Sequence, residues 1–100
     1  MNYLDDLADK IRAAVPRSHL PDDDTQDLFR MYALLLLAKG EDVDAADVHN
    51  AWVAWMASRE PEHESLLPFE ALSDDVASED RPYVKAILLV ARSSAGRVPQ

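Results

Sequence analysis

Residues 43–58, VDAADVHNAWVAWMAS, decide the fold. Asp44 followed by Asp47, with Val43 and Val48 placed to pack across the cap, is a helix start with a hydrophobic staple. The spacing predicts a helix from Ala45 to Ser58 or Arg59, ahead of Pro61. On a helix turning about 100° per residue, Val53, His49, Met56, Ala45, Trp52, Val48 and Trp55 share an arc roughly 160° wide. That stripe is broader than one neighbour covers, so the helix rests on two others, or on one while offering a tryptophan elsewhere. His49 falls inside the arc and reads, with Val48 and Met56, as a structural core residue. A buried histidine is more often neutral and hydrogen-bonded than a ligand or a base.

The same signals recur on both sides of this stretch. Toward the N-terminus, Leu4, Leu7, Ala8, Ile11, Ala14 and Val15 fall on one helical face, Asn2 is a good cap and Pro16 stops the pattern, which predicts a helix from Tyr3 to Val15. After the loop PRSHLPDD, Asp24 caps a second helix from Thr25 to Lys39, and Gly40 ends it. The second half of that helix, Met31 to Leu37, is apolar around nearly its whole circumference and should be the central element that the others surround. Beyond Arg59, REPEHESLLPFEAL reads as an ordered loop with a short helical turn at Phe69 to Leu72, and SDDVASED as a single turn. Asp80 caps a last helix, RPYVKAILLVAR, with Pro82 in its first turn where a missing N–H costs little. The tail from about residue 94 to residue 100 should fray. Nothing alternates as a strand does. The expectation is an all-α, compact, four- to five-helix single domain spanning residues 1–100.

Composition narrows the function classes. A chain of 100 residues holds one core and buries about two thirds of the surface its unfolded form exposes. Cysteine is absent, which excludes disulfides, thiolate metal sites and thiol nucleophiles. The longest apolar run, Met31 to Ala38, falls far short of the roughly 20 residues that span a bilayer, and the acidic start MNYLDDLADK is unlike a signal peptide. A cytoplasmic location without membrane attachment is the default expectation. The net charge of -9 opposes nucleic-acid binding, which draws its affinity from Lys and Arg against phosphates. It fits a solubilising surface or attraction to a basic partner. Lysine is scarce while arginine is used freely, a hint of a GC-rich bacterial or phage genome.

Catalytic and cofactor chemistry is not legible. With only Gly40 and Gly96 as glycines, neither a P-loop nor a dinucleotide fingerprint can be built. His19, His49 and His63 stand in a loop, a helix and a loop, with no spacing that aims two of them at one metal. The acidic pairs Asp5-Asp6, Asp22-Asp23-Asp24 and Asp74-Asp75 sit at helix starts, where carboxylates complement the helix dipole. No serine lies in a nucleophile elbow. No catalytic residue, metal ligand or cofactor is expected, and the protein reads as a non-enzyme.

VHNAW (Val48 to Trp52), then HESLLPFEAL (His63 to Leu72), then DRPYV (Asp80 to Val84) resemble the ryanodine-receptor-type (RyR) repeat over roughly residues 45–90. That family reads Val-His-x-x-Trp, a histidine before Leu-x-Pro-aromatic-x-x-Leu, and Asp-Arg at the closing helix. The whole chain is also similar to small uncharacterised proteins of actinobacteria and their phages. The RyR resemblance implies a helical module for protein interaction or for sensing a nucleotide-type small molecule, and no catalysis. Within the matched region Arg59, His63 and Arg81 stand beside Trp52, Phe69 and Tyr83, which with Trp55 are the candidate binding residues. Two expectations follow. One is a non-catalytic interaction module for a protein partner or a second copy of the chain. The other is a small-molecule-sensing domain.

Overall fold

The computed structural model describes residues 2–20 and 24–95. Five helices run in the order α1 (Tyr3–Ala14), α2 (Gln26–Lys39), α3 (Ala45–Ala57), α4 (Asp74–Ser78) and α5 (Arg81–Ala95), with single 3-10 turns at Arg17–His19, Gly40–Asp42 and Phe69–Ala71. No strand occurs among the described residues. The protein is all-α, four long helices and one short one in a single globule.

The helix ends follow the side chains that satisfy them. Asn2 accepts the backbone N–H of Asp5 at 2.9 Å and opens α1. At α3 the capping box closes both ways, Asp44 accepting the Asp47 N–H and Asp47 accepting the Asp44 N–H. The staple residues Val43 and Val48 are buried beneath it. Gly40 leaves α2 at φ +56°, ψ -125°, a conformation that only glycine adopts cheaply. α2 begins one residue later than the sequence predicts. Thr25 Oγ1 accepts from the Arg12 guanidinium instead of from its own helix end, and Asp24 accepts the Gln26 N–H at 3.1 Å. α5 keeps its helical backbone through Ala95, past the expected onset of fraying at residue 94. Residues 96–100 of that expected tail, and Asp22-Asp23 of the expected acidic cap, lie outside the described residues.

α2 packs against α1, α3 and α5, as its apolar sequence demands, and Leu28, Phe29, Tyr32, Ala33 and Leu36 form the centre of the core with Ile11, Val48 and Ile87. It is not surrounded, however. Leu34 and Leu37 remain 60% and 49% exposed, because three neighbours cover only part of its circumference.

α1 is fastened to α2 by a group that its position in the sequence disguises. Asp5 looks like a first-turn carboxylate, yet it is buried and accepts from Arg30 Nε at 2.6 Å and Gln26 Nε2 at 3.3 Å, both on α2. The hydrogen bond from Arg30 holds the Asp5 carboxyl below the usual carboxylate range. At the other end of α2, Lys39 Nζ donates to Asp47 at 2.8 Å and ties α2 to the start of α3.

Candidate functional site

Residues 58–73 carry no long helix, and their course is set by two histidines. His49, on α3 and 3% exposed, brings its Nε2 within 2.6 Å of the Leu67 carbonyl. A carbonyl only accepts, so Nε2 bears the proton and donates. The other ring nitrogen, Nδ1, faces the Asp80 carboxylate at 3.9 Å. His63 turns its Nδ1 back to accept the Ser65 N–H at 3.0 Å, which leaves its other ring nitrogen to carry the proton. The Phe69–Ala71 turn then packs on α3, with the Phe69 ring 6.1 Å from that of His49.

This loop, the end of α4 and the start of α5 form one wall of a groove whose floor is α3 and α2. The cavity measures about 610 Å³. Its apolar lining is Trp52, Trp55 and Met56 from α3, Leu28 and Tyr32 from α2, and Val76, Pro82 and Tyr83. Its polar lining is His19, His49, His63, Glu79, Asp80 and the serines 18, 65 and 78. Trp52 stacks on His49 at 5.7 Å between centroids and meets the His63 ring edge-on at 5.1 Å. Tyr83 lies against Tyr32 at 5.7 Å and gives its hydroxyl to the His19 carbonyl, pinning the Arg17–His19 turn over the groove.

Electrostatically the lining is acidic. Burial pushes the Asp80 carboxyl up to about 6, against the attraction of His49, and pushes the Tyr83 and Tyr32 phenols upward as well. Among the described residues no arginine or lysine lines the groove. The Trp55 indole N–H is buried with no hydrogen-bond partner among the described residues.

The family described as "Domain of unknown function (DUF7701)" matches residues 2–92. The chain belongs to that family. No curated protein and no solved structure matches the chain. The DUF7701 match takes in α1 and α2 together with the rest of the chain, and no RyR match accompanies it, so the resemblance to the RyR repeat is overturned. Its shared positions have packing reasons of their own. Val48 is fully buried under the cap of α3, and His49 hydrogen-bonds the loop. Where the RyR pattern carries His-Pro and a lysine, the DUF7701 domain has His63-Glu64 and Ala77.

Of the residues picked out from sequence, Trp52, Trp55, His63 and Tyr83 line the groove together with His49 and Met56. Phe69 backs it through His49. Arg59 lies outside the lining with its guanidinium 4.4 Å above the Trp55 ring, and Arg81 is exposed and lines nothing. Sequence reading missed Asp80, Glu79, His19 and Tyr32. Asp80 was expected to cap α5. Its backbone carbonyl does accept the Val84 N–H at 3.0 Å, while its carboxylate turns toward His49. The three histidines, scattered in sequence, all reach this one cavity, although no group of three His, Cys, Asp or Glu among the described residues is placed to hold a metal ion.

Proposed function

We propose that this DUF7701 domain is a non-catalytic, cytoplasmic binding module that receives a segment of a partner protein in the groove between α3 and α5. The observation that carries the reading is the concentration of aromatic surface there. Both tryptophans of the chain and two of its three tyrosines line one open cavity, and buried aromatic anchors ringed by polar groups are the usual makings of a protein-binding hot spot. Catalysis is disfavoured by how the histidines are used. His49 spends Nε2 on the Leu67 carbonyl, and no serine hydroxyl is hydrogen-bonded to a histidine among the described residues. Nucleic acid is disfavoured by the net charge of -9 and by a lining without arginine or lysine. Among the described residues no helix is long and apolar enough to cross a membrane.

A second reading rests on the cavity's size. At about 610 Å³ it lies within the roughly 300–1,000 Å³ typical of small-molecule sites. The two readings separate in one experiment. Random peptides displayed on phage are selected on the purified chain, and their affinities are measured by calorimetry for the unsubstituted chain and for Ser18→Trp, which fills the groove from an exposed edge position. Selected peptides should bind in the micromolar range and lose about tenfold or more on Ser18→Trp, a change of roughly 1.4 kcal/mol. Failure to enrich any peptide, while a metabolite mixture raises the melting temperature, would favour the small molecule. A concentration-dependent dimer abolished by Ser18→Trp would assign the groove to a second copy of the chain.

A further inference from the structure

The groove is more particular than an apolar cleft. Among the described residues, its only formally charged lining groups are the carboxylates of Glu79 and Asp80. The Asp80 side chain is only 15% exposed, and His49 Nδ1, at 3.9 Å, stands beyond hydrogen-bond distance. A carboxylate removed from water without donors around it is costly, and a cation brought to it recovers that cost. The cavity walls suit a cation as well. Arg59 already lays its guanidinium 4.4 Å over one tryptophan of the groove, and the part-exposed Trp52 and Tyr83 offer further ring surface in the same lining. A net charge of -9 draws basic chains toward the molecule at long range.

From this juxtaposition we propose that the groove seats an arginine or lysine side chain of a partner protein, with the charge against Glu79 and Asp80 and the aliphatic stem along Trp52. This rests on the reading of the groove as a partner site and names the chemistry it selects. The arrangement excludes acidic and phosphorylated segments, because two carboxylates would meet a third negative group with no arginine or lysine in the lining to offset it.

The test follows the two tryptophan indole signals of the ¹⁵N-labelled full chain in NMR titrations with blocked pentapeptides that differ only at the central residue, which is arginine, citrulline or glutamate. Citrulline keeps the shape of arginine and removes the charge. The arginine peptide should shift both indole signals and bind at least about tenfold more tightly than the citrulline peptide, with glutamate weaker still. Glu79→Gln combined with Asp80→Asn should erase the preference for arginine over citrulline. Because Glu79 is exposed, Glu79→Gln alone keeps the fold and should reduce the preference in part. Equal affinities for arginine and citrulline, or tighter binding of glutamate, would overturn the cation assignment. So would failure of all three peptides to shift the indole signals. If phage-selected peptides still depended on Ser18 in that case, the partner site would stand and only its chemistry would fall; if they did not, both would fall. n-Butylguanidinium serves as a fourth ligand. Affinity matching that of the arginine peptide would show that a free organic cation suffices and would overturn the protein source.

Discussion

His49 spans the two interpretations that a helix-borne histidine invites, being both deeply packed and part of the groove wall. Its Nε2 bond to Leu67 ties α3 to the middle of the loop that crosses it. His49→Leu removes that bond and leaves a carbonyl unpaired, so urea denaturation should show a loss of about 1–3 kcal/mol. Unchanged stability would mean the loop is held by other contacts. Across the ring, Asp80 supplies a pH dependence whose sign is fixed by its burial. Its carboxyl titrates at about 6 in the fold against an ordinary value of 3.8, so the folded state holds this proton to higher pH than the unfolded state does. The associated stability is full below about pH 4 and is lost as pH rises through about 6. Asp80→Asn, which mimics the protonated carboxyl, should therefore be more stable than the unsubstituted chain by about 1–2 kcal/mol at pH 7 and equal to it near pH 4. A difference that did not change with pH would refute the account of Asp80. A buried carboxylate that weakens the fold at neutral pH is the kind of feature that binding sites retain.

At the scale of helices, the sequence is a good guide wherever a cap and a period agree. α3 starts where Asp44 and Asp47 place it, and its capping box is worth measuring directly. Asp44→Ala should cost about 0.5–2 kcal/mol, seen as a lower urea midpoint with an unchanged slope. Gly40 is the second test. Space around it is open, so Gly40→Ala isolates the backbone cost of φ +56°, about 1–3 kcal/mol. A neutral result would show that the turn relaxes. Where the sequence misleads, the cause is a partner distant in the chain. Thr25 looks like the first helical residue until Arg12, from α1, donates to its hydroxyl oxygen. Asp5 looks like a cap until Arg30 and Gln26 claim it. The apolar second half of α2 looks fully enclosed, but helices on three sides leave Leu34 and Leu37 outside. Local rules give the elements, and only the packing of one helix on another reveals which polar groups are shared between them.

For the molecule as a whole, half the groove was readable and half was not. Trp52, Trp55, His63 and Tyr83 announce themselves, because large aromatic and amphipathic side chains clustered around one helix and its following loop must meet somewhere. Asp80 and Glu79 do not, since an acidic pair before a helix is explained by the cap alone. His19 and Tyr32 belong to segments remote in sequence; the Tyr83 hydroxyl holds the His19 carbonyl at the groove, and Tyr32 reaches it as part of the packed core of α2. The molecule also presents a competing surface. Leu34 and Leu37 on α2 and Leu89 on α5 are about half exposed or more, and exposed leucines are a familiar alternative for partner contact. A chemical-shift map of the ¹⁵N-labelled chain with a selected basic peptide therefore tests the central claim most directly. The account predicts that the largest shifts fall on both indole signals and on the amides of His63, Ser78, Glu79 and Tyr83, with Leu34, Leu37 and Leu89 undisturbed. Shifts centred on those three leucines, with the indole signals unmoved, would contradict it.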